Sequence, residues 1–319
     1  MILTPEVLTI FILNSLFAFF GIIAFMLSVN IYRKWDLNSV SQTQYRLEKQ
    51  SYLSATIIKF IFIIKVPLFL FFVFTLDKIS NVLTGAMCGA GVVDATVYGT
   101  PLFILKIINL YIFAYWIVLN NEDIQDENQP YTKQKFGFFI LAFFVFMSEL
   151  ILEGVMFSSI EIDKMVSCCG TLYSSSSTSA ISTVFALDTS ILLAIFYGVY
   201  LLQILFYFLK NRYLFGIINI VFIVISLITL IVFFGTYIYE LPSHHCPFCF
   251  LQQDYYFVGY LIYTLLFLGT FYGLVAGFID SSSAKRYKRF KISLIFNTLY
   301  VILLSLFPII YYTNNGVWL

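Results

Sequence analysis

Apolar runs long enough to cross a bilayer recur eight times in this chain, near residues 6–32, 53–76, 101–119, 136–160, 186–209, 213–238, 256–279 and 292–313. A hydrocarbon core about 30 Å thick needs about 20 mainly apolar residues per helix. Within it every backbone N–H and C=O must be satisfied inside the segment, so such runs become helices. Only 11% of the 319 residues are charged, against about a quarter in a soluble domain, which excludes a soluble globular fold. The pattern predicts an all-α, polytopic membrane helix bundle of about eight transmembrane helices, forming a single integral membrane domain over residues 1–319. The first run reads as a retained helix: no basic residue precedes it, it exceeds a signal-peptide core, and no small-residue cleavage site follows.

Lysine and arginine order the connecting loops. Arg33, Lys34, Arg46 and Lys49, then Lys133 and Lys135, then Lys210 and Arg212, then Lys285, Arg286, Lys288, Arg289 and Lys291 all fall in alternate loops. The remaining loops and both ends hold Lys78 and Lys164 alone. By the positive-inside rule, both termini and three longer loops, near 77–100, 161–185 and 239–255, belong on the outer side. Trp35, Trp116 and Trp318 lie near predicted span ends, where indoles favour the membrane interface. A net charge of +1 gives no bias toward nucleic acid. The lipid bilayer is the partner that composition demands. No G-x-x-x-x-G-K-[ST] phosphate loop or dinucleotide fingerprint occurs, which excludes a single-chain ATP-driven pump.

This topology puts the unusual chemistry on one side. Cys88 falls in the first outer loop, Cys168 and Cys169 in the second, and Cys246 and Cys249 in the third, together with His244 and His245. Structural disulfides are the plainest use of cysteines in an oxidising compartment. Five is an odd number, so at least one thiol is left over, metal-bound or paired with another chain. Adjacent Cys168 and Cys169 rarely satisfy disulfide geometry between themselves, which directs each to a partner elsewhere.

Two sharper readings compete with structural bridges. The first is a soft-metal site of copper or zinc. Cys88, Cys168, Cys169, Cys246 and Cys249 would supply thiolates, His244 or His245 an imidazole, and Met87 a thioether. Outward acidic residues, among them Asp77, Asp94, Glu161, Asp188, Glu240 and Asp254, would attract cations to that face. The second is thiol–disulfide exchange at Cys246-Pro-Phe-Cys249, a C-P-x-C segment of the kind in which one thiol's pKa is lowered.

Two resemblances follow from these segments. Cys246-Pro247-Phe248-Cys249, with Cys168 and Cys169 as a second pair, resembles the arrangement in the DsbB and vitamin K epoxide reductase families. That resemblance implies electron transfer to quinone. The set Met87-Cys88-Gly89, Cys168-Cys169-Gly170 and His244-His245-Cys246-Pro247-Phe248-Cys249 resembles NosB-like bacterial membrane proteins. That resemblance implies a bacterial inner membrane location and an accessory role beside a periplasmic metalloenzyme. A third expectation is a structural subunit of a membrane complex with disulfide-tied outer loops.

Ionisable side chains deep in a span are functional hypotheses by default. Lys65 and Glu149 lie near the middle of their runs, while Lys106 and Glu153 each lie about 9–11 Å below the outer surface at 1.5 Å per residue. Glu149 and Glu153 share one helix face. The depths predict the pairs Lys65–Glu149 and Lys106–Glu153, either as ion pairs fixing helix register or as a polar path toward the outer cluster. Lys59 can snorkel to the cytoplasmic interface. Gly269, Gly273 and Gly277 form a small-residue stripe that admits a close helix neighbour, in this chain or a second copy. Segment 33–52 is expected to form a short surface helix and 120–130 an acidic loop.

Overall fold

The computed structural model describes residues 4–36, 39, 41–161, 166 and 188–319. Among them there is no strand. The helices are α1 (Pro5–Lys34), α2 (Gln42–Ser80), the short α3 (Gly89–Asp94), α4 (Gly99–Ile124), α5 (Thr132–Ser159), α6 (Thr189–Leu209), α7 (Arg212–Tyr239), α8 (Val258–Phe278) and α9 (Ser283–Asn315). All except α3 are long and apolar enough to cross a membrane. The protein is a polytopic helix bundle. The second outer loop, with Cys168, Cys169 and the serine-rich stretch 174–179, lies outside the described residues apart from Glu161 and Val166.

Several helices overrun the apolar cores that specify them. Residues 42–52 continue α2 as one 39-residue helix instead of forming a separate surface helix. The Ser41 hydroxyl caps it by accepting from the Gln44 amide at 3.2 Å. At the other end of the chain α9 begins at Ser283, so the basic stretch 285–291 is helical, and α4 runs on to Ile124 into the predicted loop. A helix has no need to stop where hydrocarbon stops, because its backbone bonds are equally available in water.

Packing gathers these helices into two compact units, one built from α1, α2, α4 and α5 and the other from Gly85–Gly91 with α6 to α9. In the first unit α1 packs on α2 and α5, and α4 on α5 and α2, closing a ring of four helices. Its aromatic interior stacks Phe62 on Phe113 at 4.3 Å, with Trp116 edge-on to Phe62. Trp116 is fully buried and Trp35 nearly so, which corrects their reading as interface anchors; Trp318 is exposed. The Trp116 indole donates to the Lys135 carbonyl at 3.0 Å. Lys135 is itself buried, paired with Asp123 at 2.6 Å, while Asp123 also accepts from the Tyr131 amide and the Thr132 hydroxyl. That cluster ties the α4–α5 turn together.

The second unit repeats the ring, α6–α7–α8–α9. α8 is its central helix: half of its most apolar window is buried, against 22–33% in the other spans. A Cβ at Gly273 would fall on the Asn219 carboxamide, one at Gly269 on Asn297, and one at Gly277 within 2.7 Å of the Gly216 Cα. Room for those neighbours is also room for a polar core. The Asn297 amide donates to Gln203 at 3.2 Å and to Asn219 at 3.0 Å, and the Ser293 hydroxyl to the Gly269 carbonyl at 2.6 Å. α7 carries a π turn at Leu230–Phe234.

The glycine geometry sets an order of tolerance. Gly277→Ala meets rigid backbone and should cost about 1–3 kcal/mol, as overpacking does, whereas Gly198→Ala has open space around its new methyl and should hold or slightly raise stability. Thermal unfolding of both variants in detergent checks the order, and equal midpoints would contradict it.

Candidate functional site

The loop expected to be the third outer one begins where α7 ends. Glu240 adopts a left-handed conformation (φ 54°) and turns the chain back, so that the Leu241 amide reaches the Thr236 carbonyl at 3.1 Å. The loop re-enters the bundle through two successive left-handed residues, Tyr256 and Phe257, ahead of α8. Between these reversals lies Cys246-Pro-Phe-Cys249, held by two tyrosine hydroxyls. Tyr239, the last residue of α7, donates to the Cys246 carbonyl and accepts from the Phe250 amide at 3.1 Å. From α8, Tyr263 donates to the Pro247 carbonyl at 2.8 Å. Phe250 stacks on Tyr239, with Tyr255 edge-on to the same ring at 4.7 Å. Gly259 lets this turn lie against α8, since a Cβ there would strike Phe250.

Into this frame the segment Gly85–Gly91 brings Cys88. The sulfurs of Cys88, Cys246 and Cys249 all lie within 4.8 Å of one another, and Cys88 and Cys246 approach to 3.5 Å. All three residues are buried, and none forms a disulfide among the described residues. The Phe248 amide donates to the Cys246 sulfur at 3.4 Å. Three buried sulfurs converging on one point can share a soft cation or exchange a disulfide.

The other sequence candidates part company here. His244 sits edge-on to Tyr239 at 4.3 Å, and its Nε2 is buried with no hydrogen-bond partner. Burial holds its pKa below the usual imidazole range, opposed by Cys88 and reinforced by His245, so the ring is neutral at pH 7. His245 turns the other way, its Nδ1 donating to the Ile231 carbonyl in the π turn at 3.1 Å. Met87 is 75% exposed, unlike the three buried cysteines. Cys168 and Cys169 lie outside the described residues. Tyr239 and Tyr263 carry no signal in the sequence beyond being two of 23 tyrosines.

A second polar centre lies inside the first unit. Both expected pairs form, Lys65–Glu149 at 2.8 Å and Lys106–Glu153 at 2.9 Å, and Lys106 also reaches Glu149 at 2.9 Å. Two asparagines absent from the sequence reading complete it. Asn14 of α1 accepts from Lys65 and donates to Glu153 at 2.7 Å, closing a ring of hydrogen bonds and ion pairs. Asn109 of α4 donates to the other Glu149 oxygen at 2.5 Å. The two ammonium groups also rest over Phe146 and Phe72. A cavity of about 10 Å³ between Lys65, Lys106 and Glu149 has room for about one water.

Comparison with protein-family profiles, curated proteins and solved structures yields no match. The function therefore has to be argued from these two centres.

The ring makes a clear energetic demand. Glu149→Gln removes the charge that both lysines face and should destabilise the protein by about 3–5 kcal/mol, read as a lower unfolding midpoint in detergent. An unchanged midpoint would mean the ring does not hold the four helices.

Proposed function

We propose that this is an integral membrane accessory protein whose outer-face thiolate cluster binds a soft metal, copper or zinc, for delivery to or maturation of a periplasmic enzyme of a bacterial inner membrane. One observation carries the reading: Cys88, Cys246 and Cys249, remote in sequence, bring three buried sulfurs within 4.8 Å of one another. Soft thiolates select copper(I) or zinc over the hard cations of an ordinary acidic surface. Cys88, Cys246 and Cys249 are the ligands of this reading; Cys168 and Cys169, expected from the sequence on the same side, lie outside the described residues. The intramembrane ring is read as fixing helix register, because each of its charges is already answered by a partner. The resemblance to NosB-like proteins agrees with an accessory role.

The 3.5 Å approach of Cys88 to Cys246 favours a second reading, a thiol–disulfide oxidoreductase. Two thiols would close to a disulfide and release two protons and two electrons, which a quinone would take up as it becomes quinol. Cys249 would then be the thiol that attacks that disulfide.

Metal analysis with parallel thiol counting on the full-length protein separates the two. The metal reading expects about one copper or zinc per chain, with thiols shielded from alkylation until the metal is chelated, and loss of the metal in the Cys246→Ser, Cys249→Ser double variant. Unchanged metal content in that variant would sink it. Metal-free protein whose Cys246 and Cys249 shift between alkylatable and protected forms as quinone supply changes would establish the second reading.

A further inference from the structure

We propose that His244 is the fourth ligand of the thiolate site, so that a divalent ion such as zinc is held by a Cys3His set, whereas Cys88, Cys246 and Cys249 alone suffice for copper(I). This rests on the soft-metal reading above and names the group that decides between the two cations.

Four features single out His244. Its Nε2 is buried yet makes no hydrogen bond among the described residues, and a buried polar atom without a partner calls for an explanation. It stands two residues before Cys246 and within electrostatic reach of Cys88. Its ring packs edge-on to Tyr239 at 4.3 Å and 81°, and the hydroxyl of that same tyrosine fixes the Cys246 carbonyl and the Phe250 amide. Imidazole and thiol loop thus share one anchor. Finally, among the described residues the competing donors are less suited: His245 is bonded to the Ile231 carbonyl, and Met87 is exposed.

Coordination chemistry supplies the rest. Zinc in a closed site takes four donors in a tetrahedron, with bonds of about 2.3 Å to sulfur and 2.0–2.1 Å to nitrogen. Such bonds put neighbouring sulfurs about 3.8 Å apart, between the 3.5 Å of Cys88–Cys246 and the 4.8 Å limit of the group. The three sulfurs are thus near the spacing of that tetrahedron's base and close on it with small shifts. A neutral fourth donor would complete the shell without adding a fourth negative charge. The His244 nitrogens lie outside the sulfur group, so the ring must turn toward it, and Nε2 gives up no hydrogen bond in doing so. Copper(I), selected by thiolates as such, does not need that turn.

The test uses the full-length protein in detergent, stripped of metal by a chelator and titrated separately with zinc and copper(I) against competing chelators. His244→Ala should lower zinc affinity by more than about 10-fold and leave copper(I) affinity unchanged, while His245→Ala changes neither. Zinc-edge X-ray absorption of the wild type should show one nitrogen and three sulfurs, a readout that does not depend on any variant folding. Wild-type zinc affinity in His244→Ala, or a shell of four sulfurs, would overturn the assignment. Copper(I) binding without zinc binding in the wild type would overturn it too, leaving the thiolate site standing. Failure to bind either metal would remove the soft-metal reading itself.

Discussion

Hydrocarbon offers no hydrogen bonds, and every polar group that enters it must bring its own partner. That demand on the backbone makes the spans helices; the side chains decide which helices meet. In the first unit the answer is ionic. Glu149 draws Lys65 from α2 and Lys106 from α4 onto one oxygen and Asn109 onto the other, while Glu153 takes Lys106 and Asn14. Two positive and two negative charges cancel. An isolated charge at this depth is very costly, so any packing that separates one member penalises all of them. The ring therefore does more for specificity of assembly than for net stability, since well-packed apolar residues could replace it at little loss.

The second unit solves the same problem without charge. Gln203, Asn219, Ser293 and Asn297 come from three helices and bond to one another over the glycines of the fourth, with the Asn297 Oδ1 alone in this group lacking a hydrogen-bond partner. Carboxamides serve here because each carries both donors and an acceptor, so a few residues close a network. The small residues of α8 are the condition for it: with a methyl at Gly273 the Asn219 amide would have no place. Packing and polar satisfaction are one requirement in this core.

Much of this is written in the chain, and what is not has a physical reason. A charge inside an apolar run is conspicuous, and a rise of 1.5 Å per residue converts position into depth, so Lys65 finds Glu149 and Lys106 finds Glu153 on paper. Asn14 and Asn109 escape notice because asparagine in a span has many uses and its cost is modest. Trp116 misleads because an indole near a span end satisfies its N–H equally well at the interface or, as here, on the Lys135 carbonyl. The cysteines announce themselves by type. That Cys88 joins Cys246 and Cys249 depends on long-range packing, which no local spacing encodes. His244 and His245 are equivalent in sequence, and only the turn that carries them sets one against the Tyr239 ring and the other on the Ile231 carbonyl.

That divergence shapes the site. His245 ties one side of the loop to the π turn of α7, where a widened helical turn presents the Ile231 carbonyl sideways. Tyr239 ties the other side to the end of the same helix, and Tyr263 pins Pro247 to α8. The thiol segment is thus mounted on two rigid helices at three points, although it belongs to a loop. Its surroundings are aromatic rings and backbone groups. A thiol segment clamped by tyrosines and buried from solvent has the preorganised setting that the metal proposed above would need.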